Sequence, residues 1–145
     1  MSSSRETTRD ALVTLLAAAL VGTGLPCKTV IGSKPAQLKG KTPLVSMLSG
    51  GSLRERMTVS GDKATFYYAL HVWVQQSTTG WTNAQAEDAL DTIESLIAQT
   101  FETNRKSSSW SVLSYESRTT VADVEFEGER YYLERIPVAA KLSKK

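Results

Sequence analysis

Residues that do chemistry declare themselves by type and spacing: a nucleophile beside a base, paired carboxylates, soft metal ligands, or glycines that cradle a phosphate. This 145-residue chain holds one histidine, His71, and one cysteine, Cys27. His71 sits in the run ATFYYALHVWVQQ with no serine, cysteine or carboxylate motif to recruit it, so it reads as a structural histidine on a strand face. A single cysteine excludes an intrachain disulfide, and with a single histidine it leaves too few soft ligands for a zinc site. A reducing compartment at synthesis fits that usage. Asp91 and Glu94 form a carboxylate pair, but a spacing of three on a helix-patterned run puts both on one solvated face, as surface charge. The phosphate-loop frame G-x-x-x-x-G-K-[ST] fails twice. From Gly32 it meets Gln37 where the second glycine belongs; ending on Gly40-Lys41-Thr42, it starts on Pro35, and Pro43 blocks the helix that should follow. What remains is a basic loop suited to touching an acidic partner. Tyr67, Tyr68, Trp73 and Trp81 have the types of a base-stacking platform; aromatics in a strand more simply pack a core. No catalytic residue, metal site or cofactor is expected, and no enzymatic activity.

The elements that hold these residues are legible from periodicity. Ala64–Gln76 is strand-like, with Phe66, Tyr68, Leu70, Val72 and Val74 alternating against Tyr67, Ala69, His71 and Trp73. Apolar groups on both faces mark a strand covered on both sides, the centre of a sheet. After it, Thr82-Asn-Ala-Gln85 is a capping box. Ala86, Leu90, Ile93, Ile97 and Phe101 then line one face of a helix expected to fold back on the even face of the central strand. Glu87, Asp88, Asp91 and Glu94 occupy much of the rest, with Arg105 and Lys106 just past the end, a distribution that complements the helix dipole. Upstream, Leu12, Leu15, Leu16, Ala19 and Leu20 form the stripe of a first helix, with Thr7 or Thr8 as its cap and Gly22, Gly24 and Pro26 as its stop. Thr29–Ile31 reads as a short strand. Leu44–Ser49 and Leu53–Val59 flank Gly50-Gly51-Ser52 and predict a hairpin whose second arm has Arg54 and Arg56 on its outer face. Gly61-Asp62 turns the chain into the central strand. Trp110–Glu116 alternates, and Thr119–Phe126 and Tyr131–Leu142 flank a second hairpin turn at Glu127-Gly128-Glu129. Pro137 places the last strand at an edge or a bulge.

Together these describe one α+β domain over 1–145: a mixed, mainly antiparallel sheet with two principal helices packed on it, a loose tail at 1–4 and a basic tail at 143–145. Hydrophobic content of 41% with 22% charge places the chain among ordinary globular domains rather than disordered or membrane proteins. The apolar run Ala11–Val21 falls short of the roughly 20 residues a span needs. Arg5 and Arg9 ahead of it are matched by Glu6 and Asp10, unlike the basic leader of a signal peptide. A net charge of +2 does not argue nucleic-acid binding, but its distribution is informative. Residues 1–60 carry eight Lys/Arg against three acids, 61–102 one against six, and 103–145 eight against six. Such segregation suits a contact between a basic patch on one copy and an acidic patch on the next, which closes into a ring if the rotation allows. The candidate subunit or partner interface is Lys34, Lys39, Lys41, Arg54 and Arg56 on the basic side, and Glu87, Asp88, Asp91 and Glu94 on the acidic side.

The order of DALVTLLAAAL, an early hairpin, ATFYYALHVWV, NAQAEDALDTIESLIAQTF and VADVEFEGERYYLERIPVAAKL resembles the tail terminator proteins of long-tailed bacteriophages. It is similar also to the related tail-completion proteins of the head–tail joint. The likeness spans roughly Arg5–Leu142 and lies in element order and texture; the basic segment Lys28–Lys41 has no matching part. The resemblance implies a small non-enzymatic virion subunit, made in the host cytoplasm and placed at the tail–head junction. There it would form a ring, expected to be hexameric, that caps the tail tube and offers the surface on which the head docks. It implies the tail tube protein and a head-completion or neck protein as partners, DNA passing through the lumen without sequence-specific binding, and no membrane partner. The alternatives are another neck protein, head-completion or adaptor, and a small nucleic-acid-binding domain using the basic 28–56 region with the aromatic strand. An enzyme subunit that lends its sheet to a partner is a further one.

Overall fold

The computed structural model describes residues 5–38, 41–56, 62–76, 81–115 and 118–144. The tail Met1–Ser4, Lys39, the turn at Gly61 and Lys145 lie outside these residues. Helix α1 spans Arg5–Leu20 and is followed by strands β1 (Thr29–Ile31), β2 (Leu44–Arg56) and β3 (Asp62–Gln75). Helix α2 (Asn83–Thr103) then leads to β4 (Val112–Tyr115), β5 (Thr120–Phe126) and β6 (Glu129–Lys144). The strands form one sheet in the order β1-β2-β3-β6-β4, with β5 also on β6. Among these strands β1 and β2 run parallel and the other neighbours antiparallel.

β3 is the middle strand, as its two-sided apolar pattern requires. Phe66, Tyr68, Leu70, Val72 and Val74 are buried beneath both helices, which cover this face alone. Leu12, Leu16 and Leu20 come from α1, and Ala86, Leu90, Ile93, Ile97 and Phe101 from α2. Each fully buried Leu or Ile contributes about 1.5–3 kcal/mol, which is what holds the layers together. At the start of α2 both halves of the capping box form, Gln85 N donating to Thr82 Oγ1 and Thr82 N to Gln85 Oε1. At the start of α1 the helix already includes Thr7 and Thr8, so neither is its cap. The Tyr68 hydroxyl instead ties down that end, donating to the Arg5 carbonyl at 2.7 Å. The opposite face of β3 carries a smaller cluster, in which Trp73 meets Tyr131 and Phe126 edge-on. Leu38, from the loop after β1, lies buried in it with Leu44 and Leu133.

Two expectations are corrected. The glycine pair does not make a hairpin, because 44–49 and 53–56 both belong to the single strand β2 and pair with the same partner, β3, while 57–59 lie outside the described residues. The register steps from Ser49↔Tyr68 to Gly51↔Tyr67, leaving Gly50 as a bulge. A Cβ at Gly50 would lie 3.2 Å from the Tyr67 carbonyl oxygen, and Gly51 adopts φ 124°. The bulge exchanges the faces of the strand residues beyond it. Ser49 and Ser52 both turn toward α1, bonded by Arg9 and Arg5. Arg54 then lies on the helix side, its guanidinium 5.1 Å from the Phe66 ring centre, while Leu53 turns away and is 47% exposed. Arg54, expected on the outward face, is therefore on the other side of the sheet.

The second correction concerns Pro137. β6 is an interior strand, with β3 along one side and β5 and β4 end to end along the other. β5 pairs residues 129–135 and β4 residues 138–141, so Pro137 falls in the interval where no described residue pairs with β6 on that side. The missing N–H interrupts the neighbouring ladder rather than displacing the strand to an edge. The ladder also continues to Lys144, paired with Asp62, so most of the supposed C-terminal tail is strand. The second hairpin turn forms as read: Glu127 (φ 52°) and Gly128 (φ 81°) make a two-residue turn between Phe126 and Glu129.

Candidate subunit interface

The basic candidates do not form one patch. Lys34 and Lys41 are exposed in the loop between β1 and β2. Lys41 joins Lys28, Thr29 and Gln37 around a cleft of about 400 Å³ whose apolar lining is Ile31, Pro35, Ala36 and Leu44. Arg54 lies ten positions further along β2 than Leu44, roughly 33 Å away at the usual strand rise. Arg56 ends the same strand; its side chain, like all of Lys39, lies outside the described residues. Lys28, missed by sequence reasoning, belongs with Lys41. Only the fold of the loop around Leu38 makes that plain.

The acidic candidates do share a surface. Glu87, Asp88 and Asp91 are exposed on α2, and Glu94 is half-buried. The Tyr115 hydroxyl donates to Glu94 Oε2 at 3.5 Å, and burial together with Glu94 and Glu134 pushes that phenol well up. The first turn of α2 contains no acid and its last turn no base. The dipole effect fades within a turn, so it does not account for this stripe. Beneath the helix lies Glu134, 4% exposed, whose carboxyl is raised by burial and further by Glu94 and Asp91, against a lowering hydrogen bond from Thr119. Tyr132 feels both Glu87 and Asp123, which places the helix acids beside those of β5. Asp123 and Glu125 are exposed on β5 and Glu127 on its turn. The alternation in VADVEFE was visible in the sequence; its closeness to α2 was not.

Charge is thus divided across the sheet. α1 covers β1 and β2, and α2 covers β3, β6 and β4. Residues 28–56, on the first side, hold six Lys/Arg and one acid, whereas α2 and β5 hold seven acids and no base.

The residues with catalytic potential are arranged differently. His71 pairs across the ladder with Ser46 on one side and Arg135 on the other. Burial, Arg135 and Lys34 lower its pKa, and Trp73 meets it edge-on. Ser46 is fully buried and its hydroxyl makes no hydrogen bond with a described residue, so the pair offers no engaged nucleophile. No group of three or more His, Cys, Asp or Glu among the described residues is disposed to hold a metal ion. The aromatics do not form a platform: Tyr68 and Trp73 are buried on opposite faces, and Trp81 Nε1 donates to the Gln75 carbonyl. No described helix is long and apolar enough to cross a membrane. In comparisons with known proteins, no family model and no curated protein matches the chain.

Proposed function

We propose that this chain is a structural subunit that joins head to tail into a ring, in the role of a bacteriophage tail terminator. The ring, hexameric if it follows the resemblance, would cap the tail tube at the tail–head junction of the virion. It would offer a surface to the next neck protein and pass DNA through its lumen without reading sequence. One observation carries the reading: opposite edges of a single sheet bear opposite charge. A contact between unlike surfaces is heterologous, and repeated by rotation it closes. Lys34 and Lys41 in the loop beside β1, and Glu87, Asp88 and Asp91 on α2, are exposed, as interface residues must be. No enzymatic step is part of this role.

The test is to image the purified protein by negative stain, alone and with polymerising tail-tube protein. Rings on tube ends, and tubes that stop growing once the protein is added, are the expected result. Tubes that lengthen at an unchanged rate with bare ends would overturn the assignment.

A further inference from the structure

The cleft and the acidic hairpin stand at the same height on opposite edges of the sheet. One register line crosses the molecule from Thr29 through Leu44, Trp73 and Leu133 to Ala122. A copy rotated about an axis along the strands therefore brings β5 beside β1 without sliding along the strand direction. β1 runs with β2, and β5 runs against it, so the facing edges are antiparallel.

The two surfaces also match chemically. Lys28 and Lys41 rim the cleft over an apolar floor. The hairpin presents Glu127 on its turn, and Asp123 and Glu125 on the helix side of β5, in register with Val74 and beyond. Neither Lys41 nor any of these three acids has an ion-pair partner among the described residues, although Arg130 stands across the ladder from Glu125. Edge strands often carry charge merely to repel other strands. Either sign would serve that purpose, whereas here the two edges have opposite signs. Position 127 gives a second indication. Its φ of 52° suits Asn or Gly, and a glutamate there costs about 1–2 kcal/mol. The turn gains nothing from that residue.

We propose that the acidic β5–β6 hairpin of one copy docks into the lysine-rimmed cleft beside β1 of the next. The inference rests on the head-to-tail assembly proposed above and names its contact.

Sedimentation velocity of the full chain, from micromolar to millimolar concentration, tests it. Wild type should associate with rising concentration. Lys28→Glu/Lys41→Glu should lose association about 100-fold or more, as like charges then meet. Glu125→Lys/Glu127→Lys should do the same. Mixed in equal amounts, the two variants should regain wild-type size, since each supplies the surface its partner needs. Glu127→Asn separates contact from folding: it should raise the melting temperature while weakening association about 3-fold. The contact is wrong if both double variants assemble like wild type or if their mixture stays monomeric. It is equally wrong if wild type stays monomeric throughout, or if it binds a DNA duplex through these lysines while monomeric. Charge-swap rescue without tube capping would leave the contact standing and sink the phage role; capping by an assembly indifferent to the swaps would do the reverse.

Discussion

Glu134 is a carboxylate carried into the seam between sheet and helix, facing Asp91 and Glu94 of α2 and hydrogen-bonded with Thr119. Its folded pKa is raised, so the stability it permits is complete below the unfolded value, about 4.3. That stability is lost as pH rises toward the folded value. Urea unfolding between weakly acidic and neutral pH should show this decline in wild type and a flatter profile in Glu134→Gln; parallel profiles would show that the carboxylate is not strained. Cys27 is a second buried group, its thiol pushed up to about 12 by desolvation. A thiol reagent at mildly alkaline pH should label it only as fast as the fold opens, and immediately in denaturant. The sequence showed Cys27 as solitary but not as sealed. It held no sign of the environment of Glu134, since one glutamate in a strand reads as outward until the helix above it is placed.

At the level of elements, the two helices and the central strand were legible because each carries its own period, 3.6 or 2, over many residues. The capping box was legible too, and Thr82→Ala should cost about 1 kcal/mol in denaturant unfolding. β2 was misread for a physical reason. Two alternating runs around Gly50-Gly51 have the local signature of a hairpin; only the common partner β3 shows that the chain goes straight on. Gly51→Ala should destabilise by more than about 1 kcal/mol, since φ 124° is closed to alanine without strain. A loss near zero would mean that the strand relaxes around that site. The acids of α2 were visible as a stripe, but the basic partners were grouped along the chain when the fold separates Arg54 from Lys41.

For the whole molecule, one face of the sheet is closed by helices, while at one end of the other Leu38 ties the lysine loop onto Trp73, Tyr131 and Leu133. Leu38→Ala should cost about 2–5 kcal/mol and loosen the loop bearing Lys41. Calorimetry should record the first effect and sedimentation a weakened self-association; a variant that loses stability yet associates normally would disconnect the cleft from assembly. The division of charge between edges was readable as segment totals. Which segments share an edge, and at what height, depends on pairings between residues as far apart in the chain as Asp62 and Lys144, and no local pattern encodes those.

The bulge at Gly50 carries a consequence for variation. An extra residue taken into a strand's ladder reverses parity for everything beyond it, so what the ladder takes in at this position decides which surface receives arginine and which receives leucine. Deletion of Gly50 would leave every pairing in place, whereas a single residue inserted there and taken into the ladder would set Leu53 opposite Ala64 and turn half of β2 over, trading Arg54 for Leu53 over Phe66. Two surfaces of the molecule are set by the count of residues in the ladder rather than by their kinds.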